Sequence, residues 1–96
     1  MYENQFCIVR TSRAGVFFAK VDKLEGSTAQ LRDVRRLWYW SGASECLQLA
    51  QEGVKKPMAC KFTLTVPTMT VLDVIEVIPC TEEAAANIAG VKAWKS

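Results

Sequence analysis

Residues 5–21, QFCIVRTSRAGVFFAKV, are the stretch that decides the predicted fold. Residues 5–10 and 16–21 are short runs rich in β-branched and aromatic side chains, which favour strands. Between them, residues 11–15 (TSRAG) are rich in turn formers and end on Gly15. Two strand-forming runs joined by a short turn predict a β-hairpin.

The same pattern continues toward the C-terminus. Residues 30–40, QLRDVRRLWYW, alternate well enough to predict a third strand, which starts a meander. Residues 60–66 and 70–78 are further β-rich runs separated by Pro67. The last run is the most apolar and is expected to be central. The prediction is a five-stranded, largely antiparallel sheet, and both a twisted open sheet and a half-closed barrel fit these segments.

Two short helices are predicted to pack on this sheet. The first spans residues 44–52, with a serine of the segment 41–44 at its start and Gly53 at its end. The second spans residues 82–89, capped by Thr81, with acidic residues in its first turn. The predicted fold class is therefore α+β.

Composition sets the domain count and limits the partners. The chain has 96 residues, of which 50% are hydrophobic and 23% charged, so residues 1–96 are expected to fold as one compact domain. The net charge of +2 is too small for a strongly basic face, and duplex DNA is not an expected partner. Positive charge is concentrated early in the chain, since all five arginines precede Ser41.

No targeting segment is visible, and the cysteines resemble core residues. The N-terminus lacks a basic region and an apolar run, and no segment approaches the about 18 to 20 apolar residues of a membrane span. The protein is expected to remain in the cytoplasm, with no membrane partner. The four cysteines lie in apolar patterns and are expected to be buried, reduced thiols: Cys7, Cys46, Cys60 and Cys80. Without a CxxC motif or a histidine, no metal site and no cofactor are expected.

Catalytic groups are scarce. Without histidine, the usual general base is missing, and no Ser-His or Cys-His pair can form. Asp73 and Glu76 fall on opposite faces of a predicted strand and are poor candidates for a carboxylate pair. No catalytic residue is predicted, although an enzyme that uses a cysteine thiolate or a lysine remains an open alternative.

Residues 32–42, RDVRRLWYWSG, are the main candidate for binding. An ideal strand places one set of side chains on one face: Arg32, Arg36, Trp38 and Trp40. The other face receives a second set: Asp33, Arg35, Leu37 and Tyr39. Guanidinium groups bind phosphate oxygens and indoles stack on nucleobases, so this combination suits a nucleotide. The alternative is that the tryptophans belong to the core.

Other segments extend this candidate surface. Arg10 and Arg13 flank the first predicted turn. The backbone amides of residues 41–44, at a helix start, can hold a phosphate. Near the C-terminus, Trp94 is expected either to fold back on the body or to contact another subunit.

Six ordered segments carry a family resemblance that spans nearly the whole chain. They are CIVRT (7–11), AGVFFAK (14–20), RRLWYWSGA (35–43), LAQEGVKKP (49–57), CKF (60–62) and VIEVIPCTEEA (74–84). This set resembles small proteins of phages and prophages, and among them the Thoeris anti-defence 1 family. Members of that family bind and sequester cyclic ADP-ribose-type signals made by bacterial TIR immune enzymes, and in some members cyclic oligonucleotides, without catalysis.

The resemblance implies a homo-oligomer, dimeric or larger, acting in the cytoplasm of an infected bacterial host cell. It implies that arginines and aromatic residues hold a small-molecule nucleotide signal at subunit contacts. Arg10 and Arg36 would contact phosphate, Phe62 would stack on a base, and Trp38 or Trp40 would form the pocket wall. The full candidate set is Arg10, Arg13, Arg35, Arg36, Trp38, Tyr39, Trp40 and Phe62. Residues 82–96 contain no arginine for a further phosphate contact.

Two other functions are compatible with the same residues. One is a protein-binding inhibitor of a host defence effector, such as a nuclease or a CRISPR complex, that uses an apolar sheet edge and Trp94. The other is a single-stranded nucleic-acid binder that uses the stacking surface of residues 32–42.

Overall fold

The first two strands form the predicted hairpin in the computed structural model, which describes residues 2–95. The strands are β1 (Phe6–Thr11), β2 (Val16–Glu25), β3 (Thr28–Tyr39), β4 (Lys61–Phe62), β5 (Val66–Val71) and β6 (Val74–Pro79). The helices are α1 (Cys46–Glu52), a 3-10 turn (Pro57–Ala59) and α2 (Glu82–Ala89). The sequence prediction of an α+β domain with a largely antiparallel sheet and two short helices is confirmed.

The sheet has six strands in the order β4-β3-β2-β1-β6, and β5 also pairs with β3. The prediction of one strand over residues 70–78 is wrong, because a turn at Leu72 and Asp73 divides this run between β5 and β6. The predicted separator Pro67 instead lies inside β5. The expectation that the apolar run is central is also wrong, since β6 stands at the end of the strand order. The Asp73 carboxylate explains the break, because it bonds backbone N–H groups of the β1–β2 turn.

The long β2–β3 hairpin bends the sheet into a partly closed shape. Between the pairs Lys20/Arg32 and Phe18/Arg35, β3 advances by three residues and β2 by two. Asp33 occupies the extra position with a φ of 53°, which marks a bulge. The hairpin tip then reaches the β5–β6 connection, where the Val74 N–H donates to the Ser27 carbonyl at 2.9 Å. Of the two shapes that fit the sequence, the half-closed barrel is closer.

Two apolar clusters lie on opposite faces of this curled sheet. The cluster beneath the helices, called here the helix-side core, includes Ile8, Phe18, Leu37, Leu49, Phe62 and Ile88. The cluster enclosed by the curl, called here the inner core, includes Val9, Phe17, Leu31, Val34 and Val71. Neighbouring strand residues contribute to different clusters, which follows from the two-residue repeat of a strand.

The two helices differ in how well the sequence predicts them. Helix α2 has the predicted bounds, and the Thr81 hydroxyl accepts a hydrogen bond from the Ala84 N–H at 3.0 Å. Helix α1 begins at Cys46 rather than at residue 44, because Glu45 is the capping residue and accepts from the Leu47 N–H. The Ser44 hydroxyl donates to Gln48 Oε1 at 2.9 Å, and the helix amide is capped by Glu45 instead, so the predicted serine cap is wrong. In the described range 2–95, neither helix has the length and apolarity needed to cross a bilayer.

Gly53 ends α1 in a conformation that only glycine adopts readily. Its φ is 76° and its ψ is −152°, and a Cβ at this position would overlap the side-chain carboxamide of Asn87. That carboxamide accepts from the Val54 N–H at 2.7 Å and donates to the Val54 carbonyl at 3.0 Å. Gly53 therefore couples the end of α1 to α2.

We expect Gly53→Ala to lower the free energy of unfolding by about 1 to 3 kcal/mol, because of backbone strain and displacement of Asn87. Urea denaturation followed by tryptophan fluorescence measures this change. Gly26→Ala is the control, since Gly26 also has a positive φ of 59° but a Cβ there meets nothing within 4 Å. Equal losses for the two variants would contradict a rigid contact between Gly53 and Asn87.

Candidate ligand-binding groove

The predicted binding residues do not share one face, because β3 is irregular in two places. The first is the bulge at Asp33. The second lies between the pairs Leu37/Phe62 and Tyr39/Lys61, where β3 advances by two residues and β4 by only one. Arg36 consequently lies over Phe17 of the inner core, whereas Trp40 packs against the helix-side core. The predicted alignment of Arg32, Arg36, Trp38 and Trp40 on one side is wrong.

Arg13 and Arg36 do come together, on the rim of one groove. The Arg36 guanidinium carbon lies 5.0 Å from the centre of the Phe17 ring. Its side chain crosses the β1–β2 turn at Gly15, where a Cβ would lie 3.8 Å from Arg36 Cδ. The groove has a volume of about 620 Å³, and its lining includes Arg13, Phe17, Arg36, Met69, Leu72 and Asp73. We call it the Arg13–Arg36 groove.

The two guanidinium groups of this groove are free of ion pairs within residues 2–95. The ion pairs of that range engage other cations: Arg10, Lys20, Lys23 and Arg32. Because a paired cation must first give up its partner, unpaired arginines are the ones most available to an anionic ligand.

Asp73 also lies in the groove, and its carboxylate is occupied. Its Oδ2 atom accepts from the Arg13 N–H at 2.7 Å, the Ala14 N–H at 3.3 Å and the Ser12 hydroxyl at 3.2 Å. Partial burial raises the pKa of Asp73, but these hydrogen bonds outweigh it and leave the pKa below the ordinary value. The carboxylate therefore stays ionised at neutral pH and holds the turn that presents Arg13.

Arg10 lies away from the groove. It follows Ile8 of the helix-side core by two residues, so both side chains project to the helix side of the sheet. Its Nε donates to Glu76 Oε1 at 2.7 Å, and this hydrogen bond, with the charge of Glu76, raises the pKa of Arg10. The cation that the resemblance implies as a phosphate contact is thus already paired.

Arg35 has a structural position that the sequence reasoning missed. The residue is 4% exposed, and its guanidinium donates to the carbonyls of Thr63 at 3.0 Å, Ile88 at 3.0 Å and Val91 at 2.9 Å. Burial lowers its pKa. Ile88 lies in the last turn of α2 and Val91 follows the helix, so Arg35 joins β3 to the C-terminal end of α2. One sequence signal could have indicated this burial. Arg35 lies two residues before the apolar Leu37, and in a strand both side chains then project to the same side, here the helix-side core.

Phe62 and Trp40 are core residues. Phe62 is 0% exposed, and its ring centre lies 5.4 Å from the Arg35 guanidinium carbon. Trp40 is partly buried against the same helix-side core. The Phe62 ring is therefore not open to a base in this structure, contrary to the role that the resemblance implies.

Trp38 and Tyr39 are exposed, and neither lines the Arg13–Arg36 groove. Trp38 is 59% exposed and stacks on Trp94, with ring centres 5.2 Å apart and planes 9° from parallel. The Lys61 ammonium lies 5.3 Å from the centre of each indole ring. Of the two expectations for Trp94, the structure shows the fold-back onto the body, since the Trp94 N–H donates to the Phe62 carbonyl at 2.8 Å.

The thiols of Cys7 and Cys80 are poor nucleophiles. All four cysteines are free and buried, as the sequence predicts. Burial raises the pKa of Cys7 to about 11 and that of Cys80 to about 12, so both are protonated at neutral pH. In the part of the chain that the structure describes, no three cysteine or acidic side chains are grouped to hold a metal ion.

The fold defines a small α+β domain built on one curled antiparallel sheet. A family profile described as "Domain of unknown function (DUF6948)" matches residues 4–88, and the chain belongs to this family. The match includes the Arg13–Arg36 groove and ends before Trp94. No curated protein and no solved structure matches the chain.

Proposed function

We propose that this domain binds and sequesters a small nucleotide signal, of the cyclic ADP-ribose type or a cyclic oligonucleotide, without catalysing a reaction. The single observation that carries this proposal is the pair of guanidinium groups, free of ion pairs in the described range, on the rim of the Arg13–Arg36 groove. The sequence suggested the whole block of residues 32–42 as the nucleotide site. We now propose a smaller site, formed by Arg36 and by Arg13, which lines the same groove.

The size and lining of the groove support a ligand of this class. Ligand sites commonly have volumes of about 300 to 1,000 Å³, and the Arg13–Arg36 groove has about 620 Å³. Arginine binds phosphate in a two-pronged geometry, so Arg13 and Arg36 suit a phosphate or pyrophosphate group. Met69 and Leu72 provide an apolar wall on which a base or ribose can lie.

The chemistry of the chain supports binding without turnover. There is no histidine in the sequence, and the Asp73 carboxylate that faces the groove is held by three donors. Such an ionised, hydrogen-bonded carboxylate with a lowered pKa is a weak base. Sequestration requires affinity alone, which two arginines and an apolar wall can provide.

The proposal includes a homo-oligomer, dimeric or larger. Within residues 2–95, β6 pairs with β1 alone and leaves its other edge open. Ile75 on this strand and Leu72 in the groove are exposed apolar residues. Pairing through the β6 edge of two copies would cover both residues and bring the groove next to the partner. We also propose the cytoplasm of an infected bacterial host cell as the site of action.

The test is native mass spectrometry of the protein with a panel of cyclic ADP-ribose isomers and cyclic di- and trinucleotides, followed by calorimetry of any ligand found. We expect one bound nucleotide per groove. We expect Arg36→Ala and Arg13→Ala each to weaken binding by about 10- to 100-fold, because each removes charged hydrogen bonds to phosphate. The melting temperature should change little, since both side chains lie at the surface.

Arg32→Ala is the matched control, because Arg32 is on the same strand but pairs with Asp22 at 3.0 Å outside the groove. Its binding should equal that of the wild-type chain. Absence of any nucleotide from the wild-type protein would contradict the proposal. Equal binding by all three variants would show that a ligand binds elsewhere and would remove the groove from the account.

A further inference from the structure

Two segments near the C-terminal half are basic and contain no acidic residue. They are residues 54–62, VKKPMACKF, and residues 90–95, GVKAWK. Between them they carry five of the lysines, all exposed: Lys55, Lys56, Lys61, Lys92 and Lys95. None of these lysines takes part in the ion pairs of the described chain. The positive charge of these two segments is therefore not balanced by acidic residues within them.

The fold places these two segments side by side. The Trp94 N–H donates to the Phe62 carbonyl at 2.8 Å, and Ala93 forms a parallel bridge with Phe62. A hollow of about 350 Å³ lies between them, with Pro57 and Met58 on one wall and Lys92 on the other. Lys92, which lines the hollow, and Lys61, beside the Trp94 ring, consequently border one surface.

The same surface displays an aromatic stack. Trp38 and Trp94 are 59% and 45% exposed while lying 5.2 Å apart and nearly parallel. An indole pair with about half of its area open presents a flat π surface that a further planar ring can extend. The Lys61 ammonium, 5.3 Å from both ring centres, places a positive charge beside that π surface.

We propose that the surface formed by Trp38, Trp94, Lys61 and Lys92, called here the Trp–Lys surface, binds single-stranded nucleic acid. Unpaired bases stack on the indoles, and lysine ammonium groups contact the backbone phosphates. Single strands are favoured over a duplex because their bases are free to stack on aromatic side chains. The Trp–Lys surface shares no residue with the Arg13–Arg36 groove, so it is a second site of a different ligand class.

Sequence-tolerant binding is the expected behaviour. Stacking accepts any base, and lysine acts as a point charge on any phosphate. Neither a tryptophan nor a lysine side chain can bind a base edge with the two-pronged geometry of an arginine. Affinity should then depend on salt and on strand length rather than on base order.

The test measures fluorescence anisotropy of labelled oligodeoxyuridine and oligouridine of about 12 nucleotides, which differ only in the sugar. With the full chain at about 50 mM salt, we expect micromolar binding that weakens as salt rises. Trp94→Ala should weaken binding roughly tenfold. Lys61→Gln should reduce the slope of log affinity against log salt by about 0.7, the share of one phosphate contact. Comparison of the two oligonucleotides distinguishes DNA from RNA as the preferred strand.

Lys23→Gln is the charge-matched control, since Lys23 lies on β2 and pairs with Glu25 at 2.8 Å near the opposite end of the β2–β3 hairpin. It should bind as the wild-type chain does. Thermal melting of each variant verifies folding. Absence of binding at low salt, or equal weakening by Lys23→Gln and Lys61→Gln, would overturn the proposal. So would binding to phosphatidylglycerol vesicles, or a Trp94-dependent dimer, without binding to either oligonucleotide.

Discussion

Replacing Arg35 by alanine is expected to lower the free energy of unfolding by about 3 to 5 kcal/mol, a large part of the about 5 to 15 kcal/mol typical of a domain. The variant loses charged hydrogen bonds to the carbonyls of Thr63, Ile88 and Val91. Those carbonyls then lose a partner in a region that excludes water, and the Phe62 ring loses the cation beside it. Urea denaturation with tryptophan fluorescence measures the loss.

The neighbouring arginine provides the control for this prediction. Arg36 is exposed and its guanidinium lies over Phe17 at the surface, so Arg36→Ala should cost less than about 1 kcal/mol. Arg35→Lys should recover only part of the stability, because an ammonium group lacks the planar fork that reaches separate carbonyls. Equal stability of Arg35→Ala and Arg36→Ala would contradict the structural role of Arg35.

Phe62→Ala is expected to cost about 3 to 5 kcal/mol, because it removes a fully buried aromatic ring from the helix-side core. Phe62→Leu should cost much less, since it keeps most of the apolar volume. Denaturant midpoints of the two variants measure this difference.

The resemblance implies a different outcome for the same substitution. A base-stacking Phe62 would lose nucleotide affinity on mutation to alanine while the denaturation midpoint stayed near that of the wild-type chain. Such a result would contradict the burial of this ring. The two measurements on one variant therefore separate a core residue from a ligand contact.

Much of the fold follows from local sequence signals. Runs rich in β-branched and aromatic residues on both sides of the turn at Gly15 predict the β1–β2 hairpin, and Thr81 with its following acids predicts α2. These signals act within a few residues, so a single sequence contains them. By contrast, the division of residues 70–78 depends on a hydrogen bond from the distant β1–β2 turn to Asp73. The bulge at Asp33 is likewise a feature of the pairing between β2 and β3, which the sequence of β3 alone does not contain.

The candidate binding residues were harder to predict, because their positions depend on those irregularities. Arg35 and Arg36 are identical in type and adjacent in sequence, yet one is buried against α2 and the other borders a groove. An ideal alternation places Arg36 with Arg32 and Trp40, and the extra residues in β3 on either side of Arg36 separate it from both. The position of Lys61 could not be predicted from the sequence near it, because only the tertiary fold brings this lysine next to Trp38 and Trp94.

The central claim is that nucleotide phosphates bind between Arg13 and Arg36, and it is tested most directly by a ¹H–¹⁵N spectrum that includes arginine Nε–H and tryptophan indole signals. Assignment uses the Arg→Lys variants, and the titrant is the nucleotide selected by native mass spectrometry or, if none is selected, a cyclic ADP-ribose isomer. The account predicts saturable shifts of the Arg13 and Arg36 signals, while the Arg35 signal stays in place. Shifts confined to the Trp38 and Trp94 indoles, or no shift at all, would contradict it.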